Sequence, residues 1–186
     1  MDDDRTRIVE AADRLFYGRG IQAVGMDAVR AESGVPLKRL YAQFGSKDAL
    51  VAAVLRHRMT VWDAGIAAAA AAATTPRARL LAIYDFLDDW FRTPDFRGCG
   101  FVNAFGELGA VSPDVAAVAR EQKASFQRYV AGIVDELGAP AALAAQLSIL
   151  AEGAQTTAPI DGSPDAAAQA RAAAEVLVDA ALAPAA

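Results

Sequence analysis

Four side chains that can hydrogen-bond to nucleic acid lie close together in one short segment. Lys38, Arg39, Tyr41 and Gln43 all fall within residues 36–44. Arginine and lysine can pair with guanine O6 and N7 or with phosphate, and glutamine can pair with adenine. A tyrosine hydroxyl suits a phosphate oxygen. The segment therefore carries the chemistry needed to read double-stranded DNA.

Two apolar residues predict how this segment presents those side chains. Leu40 and Phe44 are four residues apart, so in a helix from Pro36 to Phe44 they share the face that packs inward. Pro36 is suited to the first turn of that helix. Leu37 and the four polar residues then point away from the core.

The segments before this helix complete a helix-turn-helix. Apolar residues at three- and four-residue spacing predict a helix over Asp3 to Arg19, and a second helix is expected from about Met26 to Ser33. Gly34 breaks the second helix just before Pro36. In such a unit the second helix of the pair enters the major groove and turns its N-terminal half to the base edges.

The starts of two helices are candidates for phosphate contacts, because their first backbone N–H groups are free. Ser46 is a good N-cap for a fourth helix beginning near Lys47, where the lysine adds its own charge. Gly25 and Met26 stand at the start of the second helix. These three residues, Lys47, Gly25 and Met26, join the predicted DNA contacts.

The rest of the chain is also predicted to be helical, and no strand pattern is present. Further helices are expected from Lys47 into the alanine run that Thr74 to Pro76 closes, then over Pro76 to Phe91, Phe101 to Leu108, Pro113 to about Leu137, Gly138 to about Gln155, and Asp165 to Leu182, with a loop at Ile160 to Pro164. The predicted fold is all-α, with a helix-turn-helix domain over residues 1–47 and a larger helical domain over residues 48–186.

The composition fits a globular DNA-binding protein outside the secretory route. Hydrophobic residues make up 54% of the chain and charged residues 22%, which is ample for a core. The net charge of -5 is divided unevenly, with +2 over residues 1–60 and -7 over the remainder. Three aspartates after the first methionine are the reverse of a signal sequence, and the longest apolar run is too short to span a bilayer. We expect a cytoplasmic protein with no membrane partner.

Several motifs in order resemble those of TetR-family transcriptional regulators. The block LYAQFGSKDAL over residues 40–50 is similar to the family signature. The segment AADRLF over residues 11–16 resembles the first helix of the family. The segment GIQAVGMDAV over residues 20–29 resembles the stretch that leads into the family's second helix, and SGV over residues 33–35 resembles the turn that follows it. The resemblance covers residues 5–55.

This resemblance implies a homodimer that holds a pseudo-palindromic operator and is released by a ligand bound in the C-terminal domain. The resemblance also implies that Tyr41 and Lys47 contact phosphates. It implies that residues 37–39 and Gln43 contact base edges. Gly25 departs from the family pattern, which usually has Thr or Ser there. The last two helices, rich in alanine and leucine, are candidates for the dimer interface. A repressor is expected, with activation left open.

The ligand is expected to be small and largely apolar, because many aromatic residues follow the helix-turn-helix. A regulator with a filled core, or a helical carrier that has lost DNA binding, are alternatives. The candidate ligand contacts are Trp62, Tyr84, Phe101, Asn103, Phe105, Glu107, Phe126 and Tyr129.

Enzymatic activity is not expected, and neither a metal nor a cofactor is predicted. The chain has one histidine and one cysteine, and it has no phosphate-binding glycine motif. A single thiol cannot form an internal disulfide. Cys99 follows Arg97 closely, so a redox sensor is one interpretation and a packed loop residue is the other.

Overall fold

A computed structural model of the protein describes residues 3–183, and within this range the chain forms nine α-helices and no strand. The all-α prediction is therefore confirmed. Asp2, the first residue of the acidic N-terminal run, lies outside the described residues. The helices are α1 (Asp3–Arg19), α2 (Met26–Ser33), α3 (Leu37–Phe44), α4 (Lys47–Ala70), α5 (Pro76–Phe91), α6 (Gly100–Leu108), α7 (Pro113–Glu136), α8 (Ala142–Asp161) and α9 (Asp165–Leu182).

The chain divides into two compact units. Unit 1 comprises the chain up to Val61 together with Gly100–Gln122, and unit 2 comprises Trp62–Cys99 and the chain from Lys123 onward. The predicted domain boundary at residue 47 separates DNA binding from ligand binding and dimerisation. The two units reflect which parts of the chain pack together, so they do not test this functional boundary, which remains a prediction.

Unit 1 contains the three helices of the predicted helix-turn-helix. Ile8 of α1, Val29 of α2 and Leu40 of α3 are fully buried, so the three helices share one small core. The burial of Leu40 and Phe44 confirms the inward face predicted for α3. Three short helices thus bury one face each and leave the opposite face of α3 free for other contacts.

The turn between α2 and α3 requires glycine. Gly34 has φ +68°, and its backbone N–H donates to the carbonyl of Arg30 at 3.0 Å, which ends α2. A Cβ at this position would lie 2.9 Å from Nη2 of Arg7. Any other residue would therefore strain the backbone, and the end of the Arg7 side chain would have to shift.

Unit 2 is built around an apolar core from α5, α7, α8, α9 and the second half of α4. Leu80, Leu87, Leu147 and Val178 are among its fully buried side chains. Tyr84 is also buried there, and its hydroxyl donates to the backbone carbonyl of Leu147 at 2.8 Å. Burial raises the pKa of Tyr84 well above its ordinary value, so this phenol stays protonated.

We expect Tyr84→Phe to destabilise the protein by about 1 kcal/mol, because a buried hydrogen bond between α5 and α8 is lost while the ring remains. Urea unfolding followed by circular dichroism measures the change. Tyr129→Phe is the matched control, since Tyr129 is 36% exposed and should tolerate loss of its hydroxyl. Equal stability of the two variants would contradict the role assigned to the Tyr84 hydroxyl.

The loop predicted at Ile160 to Pro164 is wrong at its start, because α8 continues to Asp161. Pro159 lies inside the helix, where it removes only the N–H that would have bonded to the carbonyl of Gln155. Gly98, with φ +84°, approaches this point so closely that a Cβ would lie 3.2 Å from that carbonyl and 3.0 Å from the proline ring. Gly98 therefore fits against the last turns of α8 only because it lacks a side chain.

No helix within the described residues is both long enough and apolar enough to cross a membrane.

Candidate DNA-binding surface and ligand crevices

Helix α3 presents a polar face that matches the sequence prediction. Lys38, Arg39 and Tyr41 are exposed, with Tyr41 45% accessible, whereas Leu37 and Gln43 are half-buried. Lys38, Arg39 and Tyr41 lie on the faces of α3 that Leu40 and Phe44 leave free. Leu37, expected to point away from the core, is three residues before Leu40 and seven before Phe44 and therefore lies beside them on the inward side, while Gln43 lies at its edge. The arrangement brings two cations, a phenol and an amide together on one short helix, which is a donor set suited to base edges and phosphates.

The first turn of α1 fixes the position of α3. Nη1 of Arg5 donates to the carbonyl of Gln43 at 3.2 Å, and the Arg5 guanidinium lies 4.5 Å from the centre of the Phe44 ring. Asp4 forms an ion pair with Arg39 of α3. Nη2 of Arg7 donates to the carbonyl of Ser33, at the end of α2, at 2.7 Å. The sequence analysis missed these contacts, because hydrogen-bonding side chains spaced along α1 carry no sign of their distant partners.

The start of α4, where a phosphate contact is predicted, is capped by a side chain. Ser46 Oγ accepts a hydrogen bond from the backbone N–H of Ala49 at 3.1 Å, which confirms the predicted N-cap. Lys47 is half-buried, with Nζ 6.0 Å from the centre of the Phe16 ring. Its aliphatic stem can therefore pack against the core while the ammonium stays at the helix start.

The start of α2 lacks a side-chain cap. Gly25 is the N-cap and is exposed, no side chain there bonds to the free N–H groups of the helix, and Met26 is half-buried. A Cβ added at Gly25 would meet nothing within 4 Å, and the backbone there is extended, with φ -86° and ψ 163°. A serine or threonine therefore fits at this position without strain.

We expect Gly25→Ser to stabilise the protein by a few tenths of a kcal/mol, because its hydroxyl caps α2 where glycine offers no side chain. Thermal unfolding measures this gain. Gly25→Ala is the control, since it adds the Cβ without a hydroxyl and loses stability relative to serine. If alanine and serine gave the same stability, the cap would not be the cause.

The structure distributes the eight predicted ligand contacts over several places instead of one pocket. Tyr84 and Phe101 are buried, and Phe105 is 46% exposed. The remaining five residues fall in two crevices. Trp62, Phe126 and Tyr129 line a crevice in unit 2, and Asn103 and Glu107 line one in unit 1.

The unit 2 crevice, which we call the aromatic crevice, has a volume of about 270 Å³. It is lined by Trp62, Asp63, Ile66, Ala67, Ser125, Phe126 and Tyr129. The Trp62 ring packs edge-on against Phe126, with centroids 5.7 Å apart. Desolvation by burial raises the pKa of the Asp63 carboxyl. Burial also raises the pKa of the Tyr129 phenol, although the nearby charge of Arg79 acts in the opposite direction. The aromatic crevice is therefore an apolar surface with an acid at its edge.

Glu107 has a structural role in unit 1 that its sequence position does not reveal. Its two carboxylate oxygens accept hydrogen bonds from the backbone N–H groups of Ile21 at 3.0 Å and Gln22 at 2.9 Å. In return, Nε2 of Gln22 donates to the carbonyl of Glu107 at 3.1 Å. We call these three bonds the Glu107 latch, and they tie α6 to the connection between α1 and α2.

Cys99 is buried in unit 2, where Nζ of Lys123 donates to its sulfur at 3.3 Å. Lys123 also forms an ion pair with Glu152. The sole cysteine is thus a packed residue with a cationic neighbour. Within the described residues, no cluster of three or more His, Cys, Asp or Glu side chains could hold a metal ion.

Comparison with known proteins places this architecture in one family. A family model described as bacterial regulatory proteins of the tetR family matches residues 8–54. A TetR-type transcriptional regulator from Streptomyces avermitilis has a crystal structure similar to this chain at a TM-score of 0.83 and is 30% identical, with 96% of this chain and 97% of that chain covered. The chain belongs to the TetR family of transcriptional regulators.

Other TetR-family proteins resemble the chain over different lengths. A regulator from Streptomyces coelicolor superposes at a TM-score of 0.88 with 27% identity, covering 97% of both chains. The HTH-type transcriptional activator FasR of Mycolicibacterium smegmatis is 34% identical over 91 residues, which are 47% of this chain. The match spans only 42% of FasR. The helix-turn-helix identified from the sequence therefore belongs to a TetR-family DNA-binding domain.

Proposed function

We propose that this TetR-family regulator is a cytoplasmic repressor that binds a pseudo-palindromic operator as a homodimer. The observation that carries the proposal is the polar face of α3, with Lys38, Arg39 and Tyr41 exposed opposite the buried Leu40. A short helix fixed on a small core, with its donors turned outward, is the form in which helix-turn-helix proteins read the major groove. In this proposal residues 37–39 and Gln43 read bases.

The backbone contacts in this proposal come from Tyr41, Lys47 and the starts of α2 and α4. Lys47 combines its charge with the free N–H groups at the start of α4, where the helix dipole favours an anion. Gly25 and Met26 offer the backbone N–H groups at the start of α2. Such contacts orient the protein on the duplex, and base contacts from α3 then give specificity.

The homodimer is supported by apolar side chains left uncovered on α8 and α9. Ile149 and Ile160 of α8 are 70% and 78% exposed, and Val176 of α9 is 68% exposed. Exposed alanines and Gly153 lie on the same two helices, so a second pair of helices could approach closely. A symmetric interface of this kind places the same surface on both subunits.

The ligand of this proposal is a small, largely apolar molecule bound in the C-terminal domain, and the aromatic crevice is its site. Trp62 and Phe126 contribute aromatic rings to its lining, and Tyr129 adds a ring and a hydroxyl. Binding is expected to lower operator affinity. The test is a titration of apolar aromatic compounds against the protein, followed by tryptophan fluorescence and by operator anisotropy. Binding proven by fluorescence with unchanged operator affinity would contradict release by ligand.

Activation is the second candidate function, because the named relative FasR is an activator. The two functions predict opposite results in transcription from a template that contains the operator. A repressor lowers the transcript yield, and its ligand restores that yield. An increase in transcript on adding the protein would establish activation and reject repression.

A further inference from the structure

A second crevice lies in unit 1 between α1, α4 and α6, and we call it the latch crevice. Its volume is about 450 Å³, enough for a small organic molecule. Apolar side chains of α1 and α4 line one side of it, among them Phe16, Val51, Val54 and Leu55. An apolar ring or chain can therefore pack against this side.

The polar side of the latch crevice carries two carboxylates and one guanidinium. Arg58 forms an ion pair with Asp13, and its guanidinium lies 3.7 Å from the centre of the Tyr17 ring. The charge of Arg58 is therefore already matched by Asp13. Glu107, the third charged residue of the lining, has the neutral backbone N–H groups of Ile21 and Gln22 as its hydrogen-bond donors.

Among the described residues that line the latch crevice, this arrangement leaves the negative charge of Glu107 without a cation beside it. A carboxylate offers about four lone-pair positions, and the bonds from Ile21 and Gln22 occupy two of those on Glu107. An anion entering the crevice would meet the carboxylates of both Asp13 and Glu107. A cation would be attracted by this net charge, and its N–H groups could bond to the free positions on Glu107.

We propose that the latch crevice binds a hydrophobic organic cation, with its ammonium on Glu107 and its apolar body against Phe16, Val54 and Leu55. The cation shares the carboxylate with the Glu107 latch. The ammonium occupies positions that the latch leaves free, but its positive charge withdraws electron density from the carboxylate, which then accepts less strongly from the N–H groups of Ile21 and Gln22. Bound cation thereby weakens these two hydrogen bonds, next to the start of α2. This site uses other residues than the aromatic crevice, and its occupation does not depend on DNA binding.

The test compares three probes of similar shape and different charge by calorimetry on the full chain at neutral pH: 4-phenylbutylamine, 4-phenylbutanol and 4-phenylbutanoate. The protonated amine is expected to bind at least about tenfold more tightly than the alcohol, and the carboxylate more weakly than both. Equal binding of the three probes, or preference for the carboxylate, would overturn the proposal.

Two variants test whether the probe binds in the latch crevice. Glu107→Gln is expected to remove the preference for the amine, and the matched control Glu121→Gln, an exposed acid on α7, is expected to keep it. Gly106→Phe adds a ring at a lining position with no neighbour within 4 Å and should weaken all three probes. Circular dichroism checks that each variant is folded. Wild-type amine binding in both Glu107→Gln and Gly106→Phe would exclude this site.

Hydrogen exchange provides a readout of the latch itself. Saturating amine is expected to speed exchange of the Ile21 and Gln22 amides several-fold, while amides inside α5 stay unchanged. Unchanged exchange at both residues with the amine bound would show that the cation does not compete for Glu107, and would overturn this part of the proposal.

Discussion

Lys47→Ala should weaken operator binding by about 30-fold, because each head of the dimer loses a phosphate contact worth roughly 1 kcal/mol and each 1.4 kcal/mol is a factor of ten. The dependence of log affinity on log salt should also become less steep by about 2, one for each head. Tyr41→Phe should weaken binding less, since it removes a neutral donor. Fluorescence anisotropy on an operator fragment at several salt concentrations measures both quantities.

Arg120→Ala is the matched control for Lys47→Ala. It removes the same charge from an exposed position on α7 in unit 1, outside the predicted DNA contacts. Its affinity and salt slope should stay close to those of the wild type. If the two variants lost affinity equally, the effect of Lys47 would be one of net charge alone, and the predicted phosphate contact would be rejected.

Ile149→Glu should convert the proposed dimer to a monomer and lower operator affinity by about 100-fold or more, since two linked heads gain that much from simultaneous binding. The glutamate would have to be buried, unpaired, in an apolar interface. Sedimentation velocity measures the oligomeric state, and anisotropy on the full operator measures the affinity. Val176→Glu on α9 should have the same effect.

Val111→Glu makes the same substitution at a residue that is 75% exposed in the turn between α6 and α7. This control should remain dimeric and bind the operator normally. A dimeric Ile149→Glu protein would show that the exposed face of α8 and α9 is not the interface. Monomers of both Ile149→Glu and Val111→Glu would instead point to a general loss of stability.

The sequence predicted the helix-turn-helix well, because its signals are local. Glycines at 34 and 45 end α2 and α3, Ser46 caps α4, and Leu40 and Phe44 fix the inward face of α3. Each of these signals depends on residues within about one helical turn. The end of α8 was predicted wrongly, because the helix continues past Pro159 to Asp161, although a proline ordinarily ends a helix.

The ligand contacts were harder to predict, because aromatic residues look alike in sequence whether they fill a core or line a crevice. Tyr84 is fixed inside unit 2 by the carbonyl of Leu147, whereas Tyr129 reaches the aromatic crevice. Glu107 bonds to backbone groups 85 and 86 residues away. Such pairings are decided by packing between helices, and neither spacing nor composition reveals them.

The most direct test of the central claim is the affinity of the wild-type protein for its operator relative to a scrambled duplex of the same length. Selection from random duplexes identifies the operator, and anisotropy at physiological salt gives both affinities. A DNA-reading α3 predicts a pseudo-palindromic site bound at least about 1,000-fold more tightly than the scrambled duplex. Weak binding of equal strength to both duplexes would contradict the assignment of α3 as a reader of DNA sequence.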